Sequence, residues 1–201
     1  DGNDILTAVF ADVRFDGHAW DQGEALGIGL SAFGTRFIGG PAKSTTAPVK
    51  STLLVDGKAP GTGQTGKKEF FKAAPDGGYA IVDGGSQYTG LGVTSARRHI
   101  MVSFSGSDNS ALISTLDKVR SGVTRMYTWN LNPGDDAGND GVTVVVGTEA
   151  GVRTFTLSGR NNGYVKGWVM HPSPSSAAGT DPLKIDFSAT NADIWIVMCV
   201  D

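Results

Sequence analysis

One short stretch concentrates polar chemistry. "GHAWDQGE", from Gly17 to Glu24, holds His18, Trp20, Asp21, Gln22 and Glu24 directly ahead of the apolar run "ALGIGLSAFG". An imidazole titrates near neutrality and can take or give a proton. Asp21, with its short reach, suits orienting that imidazole better than abstracting a proton itself. Trp20 offers a flat apolar platform. His18 and Asp21 are therefore the candidate catalytic pair, and Trp20 and Gln22 are candidate ligand contacts. Each has a plainer reading beside it. His18 follows Asp16-Gly17 and can serve a loop carbonyl. Trp20 can anchor a strand end in the core, Asp21 can accept turn N–H groups, and Gln22 and Glu24 can be solvated trim.

The rest of the chain offers less. The other two of its three histidines are His99, in "ARRHIMVSF", and His171, before Pro172. Both read most simply as strand residues. Zinc asks for at least three His, Cys or Asp ligands, and histidines this scattered do not supply them, so no metal or cofactor is expected. Tyr88 and Tyr127 could donate protons, but Tyr127 shares a strand face with Trp129 and reads as core. No G-x-S-x-G elbow exists, since "GGSQY" and "SFSGSD" lack its spacing. "GDDAGNDG" carries Asp135, Asp136 and Asp140, which could gather a calcium ion but lack the EF-hand pattern; an acidic hairpin turn is the simpler reading.

These residues must be positioned by strands. Period-two runs recur: "ILTAVFADVRF", "LGIGLSAFGTRFI", "STLLVDG", "GYAIVDG", "RRHIMVSFSG", "ALISTLDKVR", "RMYTWNL", "VTVVVGT", "VRTFTLSG", "GYVKGWVMH", "LKIDFSA" and "DIWIVMCV". Turn signals such as "VDGK", "PDGG" and "GRNNG" separate them. "VTVVVGTEAGVRTFTL" reads as a hairpin. Helical spacing is nearly absent. The expectation is one all-β domain over residues 1–201, a two-sheet antiparallel sandwich of about twelve strands. No fixed-period repeat points to a propeller or solenoid. "AKSTTAP" and "HPSPSSAAGTDP" are expected as loops.

Composition narrows the partners. With 201 residues and 39% hydrophobic content, a sizeable core can form. Net charge is −3 and the basic clusters, Lys67-Lys68 and Arg97-Arg98, are only pairs, each read as a solvated edge, so no nucleic acid is expected. The single cysteine, Cys199, excludes an internal disulfide and reads as a small hydrophobe. That does not exclude secretion, because many bacterial extracellular proteins lack cysteine. No apolar run approaches the length of a membrane span, so no membrane partner is expected. Opening on "DGNDI" without Met or a signal-peptide pattern, the sequence reads as a processed product, an excised domain or a fragment.

The order of segments resembles the C-terminal β-sandwich of the heparinase II/III-like polysaccharide lyases. "GHAWDQGEALGIGLSAFGTRFIGGP" is similar to that family's H-x-H-x-D strand entrance. "STLLVDGKAP" is similar to its H-N-[ST]-[LV]-x-V-D-G segment. "YAIVDGGSQYTGLGVTSARRHIMVSFSG" and "ALISTLDKVRSGVTRMYTWNLNP" resemble its Arg-rich strand pair and its D-D-[LV] strand leading to an aromatic strand. The matches span Ile5 to Pro133 in order. The resemblance implies a sandwich that pairs with an α/α toroid, with an acidic, uronate-containing glycan between them and β-elimination as the reaction. His18 would then act as base or as carboxylate partner, and Trp20 would stack on a sugar face. Lys50, standing where the family's second segment has His, would bind a uronate carboxylate as a point charge. The family pattern is incomplete. Gly17-His18-Ala19-Trp20-Asp21 keeps one His of two, and Ser51 replaces the Asn, so the family's zinc set is not reconstituted.

Three readings follow. The first is the sandwich domain of a secreted, periplasmic or cell-surface polysaccharide lyase whose toroid is elsewhere, with this chain alone inactive. The second is a non-catalytic carbohydrate-binding sandwich. The third is a structural surface or filament subunit, for which low charge and open strand edges suit self-association.

Overall fold

The computed structural model describes residues 8–12, 25–39, 51–61, 64–104, 111–134, 141–180 and 182–201. Strands β1 (Ala8–Asp12), β2 (Gly27–Ala32) and β3 (Thr35–Ile38) form a three-stranded antiparallel sheet in that order. The second sheet is larger. Its strands are β4 (Leu53–Val55), β5 (Lys67–Ala74), β6 (Gly77–Asp83), β7 (Val93–Phe104), β8 (Ala111–Leu131), β9 (Thr143–Glu149), β10 (Val152–Ser158), β11 (Tyr164–His171), β12 (Ser176–Ala178) and β13 (Leu183–Val200). They run in the order β5-β6-β7-β8-β13-β11-β10-β9, with β4 alongside β8 and β12 alongside β13. This is the expected all-β sandwich.

Alternation decides which side chains meet. On β8, Ile113, Thr115, Asp117 and Val119 are buried, while Leu112, Ser114, Leu116 and Lys118 face outward. On β13, Ile194, Ile196, Met198 and Val200 point in, while Trp195, Val197 and Cys199 point out. Two faces of one sheet thus carry different residues by parity alone.

The long strands β8 and β13 change direction partway. Between Arg120 and Arg125, β8 carries Ser121, Gly122, Val123 and Thr124 opposite the lone Thr190 of β13. Such a bulge bends the strand and sharpens its twist. Beyond it, Tyr127, Thr128, Trp129, Asn130 and Leu131 are all buried, with β4 paired along one edge of this stretch and β13 along the other.

The small sheet is tied across the large one at both ends. At the β2–β3 turn, where Phe33 (φ 52°) and Gly34 (φ 69°) reverse the chain, Asn161 donates its amide to the Phe33 carbonyl at 3.0 Å. The Arg160 N–H donates to the Thr35 hydroxyl at 3.0 Å. Between the layers, Trp129 packs on Phe155 with ring centroids 6.2 Å apart. Gly167 makes room for that ring: a Cβ there would lie 2.1 Å from Phe155 Cζ.

Several local readings need correction. "LGIGLSAFGTRFI" is not one strand but the β2–β3 hairpin. "KKEFFKAA" carries no period-two signal, since Phe70 and Phe71 are adjacent, yet it forms β5 by pairing with β6. "GGSQY" contributes the short helix α1 (Gly85–Tyr88). "HPSPSSAAGTDP", read as loop, contains β12. Arg97-Arg98 is not a solvated pair. Arg97 is exposed on the outer face, and Arg98 is fully buried on the inner one. "AKSTTAP" and the acidic turn Asp135, Asp136 and Asp140 lie outside the described residues.

Candidate functional site

His18, Trp20, Asp21, Gln22 and Lys50 all lie outside the described residues. The residues that follow them in the chain do not. Ala25 and Thr52 are side by side: the Thr52 hydroxyl donates to the Ala25 carbonyl at 2.5 Å, and the Ile28 N–H donates to the Ser51 carbonyl at 3.0 Å. Ser51, next after Lys50, is buried, and its hydroxyl donates to Gly39 O at 2.5 Å while accepting the Asn132 N–H at 2.9 Å. The first described residues after Glu24 and after Lys50 therefore meet at one corner of the sandwich.

That corner is clamped from beneath. The Tyr88 hydroxyl donates toward the carbonyls of Ala25 (3.1 Å) and Leu53 (2.8 Å). Burial drives its ionisation far above the ordinary tyrosine range, so Tyr88 is a tie and not a proton source. Arg98 lies directly across the β7–β8 register from Asp117 and pairs with it through two hydrogen bonds of 2.5 Å, both side chains almost wholly removed from water. Its remaining terminal nitrogen donates to the Leu26 carbonyl, and its guanidinium lies 5.9 Å from the Trp129 ring. A planar fork satisfied on the carboxylate and on a backbone oxygen fixes where the chain enters β2.

A second place gathers chemistry on the opposite face. A concavity of about 690 Å³ opens on the outer side of the large sheet between β6 and β11. The strand register builds its floor. Ile81, His99, Leu116, Trp195 and His171 form one cross-strand row, each opposite the next. His171 reaches this row because the β11–β13 register shifts between Val169 and His171, turning outward a residue that strict alternation would bury. The Tyr79 hydroxyl and His99 Nδ1 share a hydrogen bond of 2.6 Å. Trp195 donates its indole N–H to the Ser114 hydroxyl at 2.9 Å, which holds the ring across the β8–β13 pair. Asp193 lies at the margin, paired with Arg120 at 2.6 Å. Partial burial, followed by the positive charges of Lys118 and Arg97, holds the His99 pKa below the usual histidine value.

Sequence reading treated His99 and His171 as separate strand residues. Nothing in their local sequence joins them, because they are 72 positions apart in the chain and only the register of four strands brings them into line. The outward parity of His99 was legible; the bulge at His171 was not. Tyr127 is core as expected, and burial raises its pKa. Among the described residues, no three His, Cys, Asp or Glu side chains gather as a metal site. No helix among them is long and apolar enough to cross a membrane.

No protein-family model matches the chain, and no curated protein matches it in sequence. Solved structures do match in fold. A heparinase III superposes with a TM-score of 0.69 at 10% identity, over 96% of this chain and 32% of the heparinase. The heparan sulfate lyase HepC from Pedobacter heparinus superposes with a TM-score of 0.62 at 9% identity, over 100% of this chain and 37% of its own length. A mutant of that lyase gives 0.61 at 10% identity. The chain spans about a third of the length of these proteins. The resemblance read from segment order is thus matched at the level of fold: the whole described chain has the architecture of a β-sandwich stretch found within heparinase III and heparan sulfate lyase chains.

Proposed function

We propose that this chain is the sandwich part of a secreted polysaccharide lyase-like protein, forming one side of a cleft for an acidic, uronate-containing glycan. The fold match over essentially the whole chain to two lyases three times its length is the observation that carries this reading. The hydrogen bond from Thr52 to Ala25 supports it, because it joins the first described residues that follow Glu24 and Lys50 in the chain. In this reading His18 takes the proton alpha to the uronate carboxyl, or supports the group that does, and Asp21 orients its ring. Lys50 pairs with the carboxylate, and Trp20 stacks on the sugar. An α/α-toroid segment supplies the other wall and the remaining acid and base. Removing the proton and expelling the leaving oxygen creates an unsaturated uronate, which absorbs in the ultraviolet.

The test is made with a protein that joins this chain to an α/α toroid. It is incubated with heparan sulfate and with other uronate glycans while ultraviolet absorbance is followed. Growth of absorbance that is lost in His18→Ala, with unchanged melting, supports the reading. Elimination that survives His18→Ala removes the site assignment. Absence of elimination on every uronate glycan removes the lyase reading itself.

A further inference from the structure

We infer that the concavity on the outer face of the large sheet binds an uncharged sugar ring, stacked on Trp195 and hydrogen-bonded by the imidazoles that flank it, His99 and His171. Nothing in the lyase reading assigns this site, and the inference does not depend on that reading.

Three observations carry it. The first is the platform. Trp195 is 42% exposed despite lying mid-sheet, and its indole N–H is committed to Ser114. The ring is thus held in place before any ligand arrives, which lowers the ordering cost of stacking on it. The apolar C–H face of a pyranose suits such a plate, and Leu116, Met101 and Met170 continue the apolar floor around it.

The second is the polar rim. His99 and His171 stand in one cross-strand row with Leu116 and Trp195 between them. Three strand-to-strand steps at about 4.8 Å place their backbones roughly 14 Å apart. That span, and a volume of about 690 Å³, fit a disaccharide lying across the strands; small-molecule sites commonly fall at about 300–1,000 Å³. An imidazole offers one donor and one acceptor when neutral, which matches hydroxyl groups that do both. The Tyr79 hydroxyl orients His99 through its Nδ1.

The third is charge. The lining contains no Lys or Arg, burial disfavours the charged form of His99, and Asp193 is paired with Arg120. The nearest outer-face cations lie outside the lining, Arg97 held by Glu69 at 3.1 Å and Lys118 opposite Asp193 in the β8–β13 register, so a carboxylate or sulfate would find no cation in the lining itself to offset its desolvation. A peptide strand would find no open backbone in the floor, since β5 and β9 end the strand order, the short strands β4 and β12 lie off it, and the lining comes from β6, β7, β8, β11 and β13. A lipid chain would strand Tyr79, Ser114 and both imidazoles against hydrocarbon.

The experiment records the Trp195 indole N–H resonance of the purified chain, assigned by Trp195→Phe. Cellobiose, maltose, lactose and N,N′-diacetylchitobiose are titrated at neutral pH, with glucuronic acid and a lauryl-chain detergent as contrasts. Saturable shifts at millimolar or lower concentration are expected for at least one neutral disaccharide. Trp195→Ala should weaken that binding about tenfold or more, corresponding to about 1.4 kcal/mol. Trp195→Phe, which keeps a platform, should stay within a few-fold, and His171→Ala should weaken binding without changing the melting temperature. Binding is read by calorimetry for variants that lack the indole. No saturable binding by any neutral disaccharide overturns the inference. So does preference for glucuronic acid or detergent, or affinity unmoved by both Trp195→Ala and His171→Ala. None of these outcomes bears on elimination activity, so the two readings fail separately.

Discussion

Arg98 and His99 are neighbours in the chain, and so are Leu116 and Asp117 on the facing strand, yet the two pairs do opposite work. Arg98 and Asp117 turn inward, lose all contact with water and lock onto each other and onto the Leu26 carbonyl. His99 and Leu116 turn outward and help line an open concavity under Trp195. The inner face spends its polar chemistry on holding a corner. The outer face leaves its polar chemistry within reach of a ligand. The difference shows that a charged residue type is a poor guide to function in a sheet, because one step along the strand exchanges core for solvent.

The comparison can be broken most sharply at Arg98. Arg98→Met leaves the Asp117 carboxyl buried without its partner, and the expected loss is about 3–5 kcal/mol in denaturant unfolding. Arg98→Met combined with Asp117→Leu should cost clearly less than the single change. A single-variant loss below about 1 kcal/mol would mean the pair is not the clamp described here.

Gly167 gives the next effect on the same inner face. In Gly167→Ala the new Cβ would meet the Phe155 ring at 2.1 Å. Overpacking of this kind costs about 1–3 kcal/mol. Adding Phe155→Leu should recover part of it in a double-mutant cycle; strict additivity of the two changes would show that the ring is not what fills the space.

On the outer face the same measurements should move little. Trp195→Ala is expected to change unfolding free energy by about 1 kcal/mol or less. A loss as large as that of Arg98→Met would erase the distinction between the faces.

The smallest effect is in pH. The folded pKa of His99 lies below 6.5, because burial and then Lys118 and Arg97 disfavour its charged form. The unfolded chain therefore binds the proton more readily. The contribution of His99 to stability is complete above pH about 6.5 and is lost as pH falls from there through the folded value. His99→Gln should flatten the stability curve across that window relative to the unsubstituted protein. An unchanged slope would mean that the ring is solvated as in the unfolded chain.

Much of the architecture was legible before the structure. The runs "ALISTLDKVR" and "DIWIVMCV" mark parts of β8 and β13, Tyr127 and Trp129 share a buried face as read, and "GTEAGV" marks the β9–β10 hairpin, whereas Cys199, read as a small hydrophobe, turns outward. "KKEFFKAA" was missed because an edge strand exposed along its whole length needs no alternation. The buried Arg98 was missed because its partner is 19 residues away and only the β7–β8 register joins them. The candidate site divides in the same way. The His18–Lys50 grouping came from residue types and segment order. The row from His99 to His171 came from pairing four strands and one bulge.

What the sequence determined by itself is the parity of each strand. Side chains alternate every residue, so the pattern of apolar positions names the face that must leave water, whatever the neighbours are. What only the tertiary structure decided is which strands lie side by side and where the register slips. Those depend on contacts between residues far apart in the chain. They are why Arg98 finds Asp117 beneath Leu26, and why two distant histidines share one row with Trp195.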